Sequence, residues 1–107
     1  MQKLFYKTHI SSINLTNINT ENVEDMSYLF ADTSIEKLDS NLSTNKVKNM
    51  SHIFANCSGL NTIDLSKIST ENVLDMSYMF YDCESLNNLD VSNFKTSKVK
   101  NMSHMFH

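Results

Sequence analysis

Five phenylalanines, Phe5, Phe30, Phe54, Phe80 and Phe106, punctuate the chain at intervals of 25, 24, 26 and 26 residues. Between them one template returns four times. It is clearest in LNTIDLSKISTENVLDMSYMFYDCES (60–85) and recurs as LNNLDVSNFKTSKVKNMSHMF (86–106) and ISSINLTNINTENVEDMSYLFADTS (10–34). The second copy, IEKLDSNLSTNKVKNMSHIFANCSG (35–59), is one residue short before Thr44 and one long before Leu60. A unit this short cannot bury its own apolar face, so repetition implies that each copy packs against its neighbours.

Each unit has two halves. The first carries apolar residues at Leu60, Ile63 and Leu65, matched by Leu86, Leu89 and Val91 and by Ile10, Ile13 and Leu15. Its alternating end reads as a short strand. The second carries Val73, Met76, Met79 and Phe80, the spacing of one helical face, with Thr70 as an N-cap and Glu71 in the first turn. The expectation is an α/β, leucine-rich-repeat-like, right-handed curved solenoid of four coils, with one short strand and one short helix in each. Curvature follows because strands stack about 4.8 Å apart while helices need about 8–10 Å. One domain over 4–107 is expected, with repeats at about 10–34, 35–59, 60–85 and 86–107 and the tail of a preceding repeat at 4–9.

Composition narrows the function. With 12 acidic and 9 basic residues the net charge is −3, which gives no electrostatic basis for binding nucleic acid. No stretch approaches the roughly 20 apolar residues of a membrane helix, so no membrane insertion is expected. The run Met1–Lys7 is far short of a secretory signal's apolar region, so the sequence reads as carrying no export signal. The chain starts and stops in the same phase without polar capping units. It reads as a segment of a longer array, or else as a short protein whose apolar ends pair with other copies.

The string LDVSNFKTSKVKNMSHMF, preceded by FYDCESLNN, resembles the repeat of BspA-like leucine-rich-repeat surface proteins, found in bacterial, mycoplasma-type and some protist surface proteins and lipoproteins. The likeness covers residues 4–106, and the Val-x-x-Met-x-x-Met-Phe element is its most specific part. It implies a cell-surface or extracellular location and, for some members, adhesion to extracellular-matrix or host surface proteins or glycans. Departures are Thr33 in place of cysteine, the irregular Ser40-Asn41-Leu42, and the missing export signal.

Candidate chemistry is judged by column, because stacking aligns equivalent positions. The columns Val23/Val47/Val73/Val99, Met26/Met50/Met76/Met102 and Leu29/Ile53/Met79/Met105 read as core, with a soft-metal or promiscuous groove as the alternative. Cys57 and Cys83 share a column with Thr8 and Thr33. They read as buried thiols, with a disulfide between adjacent units the alternative. The second halves alternate in charge, TENVEDMSYLF and TENVLDMSYMF against TNKVKNMSHIF and TSKVKNMSHMF. Glu24 should meet Lys48, and Glu21 and Glu71 should lie near Lys46 and Lys98, either as a register device or as a relic of duplication. Tyr28, His52, Tyr78 and His104 alternate in a column read as solvated, with a pH switch as the lesser reading. Asn14, Asp39, Asp64 and Asp90 form a polar ladder, and calcium is the lesser reading because it demands six to eight oxygens.

No phosphate loop, catalytic triad or metal-ligand spacing appears, so no enzyme and no cofactor are expected. Partners would meet the strand face, at Lys37, Asp39, Asn61, Asp64, Lys67, Asn88, Asp90 and Asn93. That face has no Tyr, Trp or Arg, the residues that anchor tight interfaces. Two functions follow as expectations. One is a non-catalytic interaction or adhesion module of a cell-surface protein. The other is a structural spacer or end-to-end self-associating segment.

Overall fold

The computed structural model describes residues 2–7, 19–38, 42–87 and 89–106. The body measures 32 × 32 × 22 Å, with a radius of gyration of 12.4 Å. Its repeats lie side by side in parallel register. Strand β1 (Lys37–Leu38) pairs with β2 (Thr62–Ile63), Lys37 opposite Thr62 and Leu38 opposite Ile63. Single parallel bridges link Asp25 to Asn49, Asn49 to Asp75 and Asp75 to Asn101.

The expected α/β leucine-rich-repeat-like solenoid, with a helix and a strand in each coil, does not form. Among the described residues there is no helix, and strand is confined to the two-residue β1 and β2. The second half of each unit is a run of tight turns whose amides bond outward. In residues 47–56 every amide has a partner. Val47 donates to Thr44 O, Lys48 and Asn49 to Glu24 O, Met50 to Asp75 O, His52 to Ser77 O, Phe54 to Met79 O and Asn56 to Tyr81 O; Ile53 and Ala55 close turns onto Met50 O and His52 O. Ser51 N donates to Asn49 Oδ1 at 2.9 Å. A helix would have spent these donors within the segment. Here the two neighbouring repeats together accept more of them than the segment itself, and Asn, Ser, Thr and His give little helix propensity to oppose that arrangement. Without helices the wide helix–helix spacing is gone, and with it the reason for a curved arc.

The turns need left-handed backbone. Tyr28, His52, Tyr78 and His104 lie at φ of 56–60°, and Asp32, Asn56 and Asp82 four residues later at 56–60°. This conformation costs an L-residue about 1–2 kcal/mol, and no glycine relieves it: the chain's single glycine, Gly59, does not have positive φ. Asp, Asn and His tolerate the region better than most residues.

The apolar columns form one core. Met26, Met50 and Met76 are 0–1% exposed, and Phe30, Phe54 and Phe80 are 0–3% exposed. Leu29, Ile53, Met79, Val47, Val73, Ile35 and Leu60 are buried with them. The rings of Phe5, Phe30, Phe54, Phe80 and Phe106 make a continuous offset stack, with successive centroids 5.6, 5.6, 5.6 and 5.8 Å apart. Offset stacking of this kind adds about 0.5–1.5 kcal/mol per pair beyond burial.

Candidate interaction face and its supporting columns

Side chains of the template lock the repeats in register. Asp25, Asn49, Asp75 and Asn101 each accept the amide of the serine two residues on, at 2.9–3.0 Å. Buried Thr44 donates its hydroxyl to Ser69 O and accepts Ser69 N, both at 2.8 Å. Thr20 does the same with Ser43, and Thr70 with Lys95. Thr70 is therefore not a helix N-cap; its hydroxyl binds the next repeat.

The two cysteines are free. Cys57 Sγ donates to Phe30 O at 3.0 Å and Cys83 Sγ to Phe54 O at 3.1 Å, each reaching back one repeat. Burial pushes both thiols up, that of Cys83 to about 12, so neither is an ionised nucleophile at neutral pH.

The charged columns are only partly as expected. Lys48 Nζ lies 3.5 Å from Glu24 Oε1, but both side chains are more than half exposed, and such pairs contribute about 0–1 kcal/mol. Lys46 and Lys98 do not bond Glu21 and Glu71. They donate to Asn22 and Asn72 Oδ1, at 2.8 and 2.9 Å.

The Tyr/His column is only partly solvated: Tyr28, His52 and Tyr78 are half-buried, and His104 is exposed. Tyr28, His52, Tyr78 and His104 stack face to face with centroids 4.3, 4.6 and 4.7 Å apart. His52 is half-buried, and its Nδ1 meets neither solvent nor a hydrogen-bond partner. Burial lowers its pKa from the ordinary 6.5, against the opposing pull of Asp75. The alternation of Tyr and His was visible in sequence; the faces buried by stacking were not.

On the strand face, Asp39 and Asn88 lie outside the described residues, as does Asn14 of the same ladder, and Lys37 is described in its backbone alone. Asn61 is exposed, and its amide donates to Glu36 O at 3.0 Å. The structure brings Asp64, Asp90 and Asn93 together around a cleft of about 170 Å³, with Ser66, Ser92, Ile63 and Leu65. Asp64 Oδ1 accepts Ser66 N, and Asp90 Oδ1 accepts Ser92 N, both at 2.9 Å. Bonds from these serines hold both carboxyls below the usual range, and exposed Lys67 adds to the effect at Asp64. Asn93 is committed elsewhere: its Nδ2 donates to Leu65 O at 2.9 Å and Ile68 O at 3.2 Å. Among the described residues no three His, Cys, Asp or Glu are grouped to hold a metal ion. Nor is there among them a helix long and apolar enough to cross a membrane.

Turn-built repeats, joined amide by amide and carrying a shallow polar cleft, define a stacked-repeat protein. The chain belongs to the family described as Mycoplasma protein of unknown function, DUF285, which matches residues 1–107. No curated protein and no solved structure matches the chain.

Proposed function

We infer that the chain is a non-catalytic interaction module of a cell-surface protein, and that its contact face is the cleft bounded by Asp64, Asp90 and Asn93. The observation that carries this reading is the pair of aspartates. Each has one oxygen fixed by a serine amide, and both carboxyls are kept ionised at a solvent-facing cleft. Ligand-free recognition surfaces gain from such preorganisation, because less side-chain freedom is lost on contact. The resemblance of the repeat to that of BspA-like surface proteins supports a surface location and, as partners, extracellular-matrix or host surface proteins or glycans. The cleft is small and has no aromatic anchor, so each contact is weak and useful affinity comes from many copies.

The test is binding of densely immobilised chain to matrix proteins, mucins and host-cell glycans, beside an Asp64→Ala/Lys67→Ala/Asp90→Ala variant. Binding that the folded variant loses supports the cleft. Binding that survives in the variant, or silence from a folded dense array, overturns it.

A further inference from the structure

We propose that Cys57 and Cys83 form an oxidisable pair, which a small-molecule disulfide converts into a covalent link between the second and third repeats. The two residues hold one position of the template, Cys57 in FANCSG and Cys83 in FYDCES. Backbone register brings them side by side. The Phe54 amide donates to Met79 O at 3.1 Å and the Asn56 amide to Tyr81 O at 2.7 Å, and the next pair along those two segments is Cys57 with Cys83. Segments in parallel register run about 4.8 Å apart, inside the span of about 4.4–6.8 Å between Cα atoms that a disulfide bridges.

The side chains follow the same register. Each sulfur donates to a phenylalanine carbonyl of the preceding repeat, Cys57 Sγ to Phe30 O at 3.0 Å and Cys83 Sγ to Phe54 O at 3.1 Å. Between Thr33 and Cys57, the previous step of the column, the side-chain heteroatoms are 3.6 Å apart. Cys57 also bears directly on Cys83: its charge would oppose loss of the second thiol's proton, while its amide favours that loss. Packing alone does not ask for a thiol here. Buried Thr33 fills the column with a hydroxyl on Phe30 O at 2.8 Å, so a small hydrogen-bonding side chain suffices. Two consecutive cysteines add a capacity that threonine lacks, the exchange of two S–H bonds for one S–S bond. Closing the link removes the Cys57 donor from Phe30 O, but that carbonyl keeps the Thr33 hydroxyl.

The oxidant is a disulfide of the glutathione type. One cysteine, as thiolate, attacks a glutathione sulfur; the glutathione S–S bond breaks and one glutathione leaves as its thiol. The other cysteine then attacks the protein sulfur of the mixed disulfide, which forms the Cys57–Cys83 bond and releases the second glutathione. The two protons of the cysteines end on the two glutathione thiols, and the protein loses the two electrons that glutathione gains. Burial keeps both cysteines protonated at neutral pH, which makes the exchange slow without making the bond unfavourable.

The experiment refolds the whole reduced chain from urea in mixtures of reduced and oxidised glutathione, beside a parallel set kept in urea. Refolding offers both thiols to the oxidant, so slow entry to the folded interior does not decide the result. Free thiols are then alkylated, and mass spectrometry of the intact chain and its digest measures the Cys57–Cys83 link. The expected result is a link within one chain. Its ratio of linked to reduced protein should be at least about tenfold higher in the folded set than in urea, because a bond that stabilises the fold is favoured by the fold to the same degree. A ratio no higher in the folded set overturns the proposal. So does a folded chain that takes up glutathione on both sulfurs, or one that links to a second chain instead.

Discussion

The second and fourth repeats carry nearly one sequence, TNKVKNMSHIF over 44–54 and TSKVKNMSHMF over 96–106. In the second, Val47, Met50 and Phe54 are at most 2% exposed; in the fourth, Met102 and Phe106 are about half exposed and Val99 is only half-buried. Composition and local turn geometry are shared. What differs is a neighbour on one side or on two. Burial in this protein therefore belongs to the contact between units and not to the unit, and stability should be set by the number of internal contacts.

The largest effect expected from that comparison is at the phenylalanines. Phe54→Ala should destabilise by about 3–5 kcal/mol, as for other buried aromatic truncations, whereas Phe106→Ala should cost under about 1 kcal/mol in dilute protein. Urea unfolding of both variants checks this, and equal losses would mean that the last repeat is packed as tightly as the second. Next come the threonines. Thr44→Val strands the Ser69 amide and carbonyl and should cost about 2 kcal/mol, while Thr96→Val, at an exposed position, should be close to neutral in the same assay.

A smaller contrast concerns acid. The folded pKa of His52 is lowered from 6.5, so the folded state favours neutral imidazole. The associated stability is complete above 6.5 and is lost as pH falls from there through the lowered folded value. Melting temperature should thus decline as pH falls from 6.5 through the lowered folded value. His52→Tyr, which copies the residue at 28 and 78, should keep the ring stack and flatten that decline. An unchanged slope in this variant would remove His52 as the cause. The smallest effect should be a gain: Asn56→Gly relieves a left-handed residue and should stabilise by about 0.5 kcal/mol, detectable as a slightly higher melting temperature.

Much of this core was readable from the chain. The Val, Met, Leu/Ile and Phe columns could be assigned from phase alone, and Glu24 opposite Lys48 followed from it. The helix did not, because apolar residues at i, i+3, i+6 and i+7 fit a sequence of tight turns as well as a helical face. Two signals pointed the other way. One is Asp or Asn at 25, 49, 75 and 101, each followed two residues later by serine, the mark of side-chain-closed turns. The other is spacing: Thr20 to Phe30, Thr44 to Phe54, Thr70 to Phe80 and Thr96 to Phe106 are each ten residues apart, although the connecting stretches vary. On the strand face, phase aligned Asp64 with Asp90, but only coordinates could show Asn93 tied to the preceding repeat.

That invariant ten-residue stretch bears on how such a gene can change. A duplication or deletion of whole units leaves every threonine clamp and every turn with the partner it had, so the chain can lengthen or shorten in steps while its chemistry stays constant. An insertion of a single codon between threonine and phenylalanine would instead put each downstream amide opposite the wrong carbonyl. Variation in length is tolerated only in quanta, with single-residue drift confined to the connections, where the second repeat already shows it.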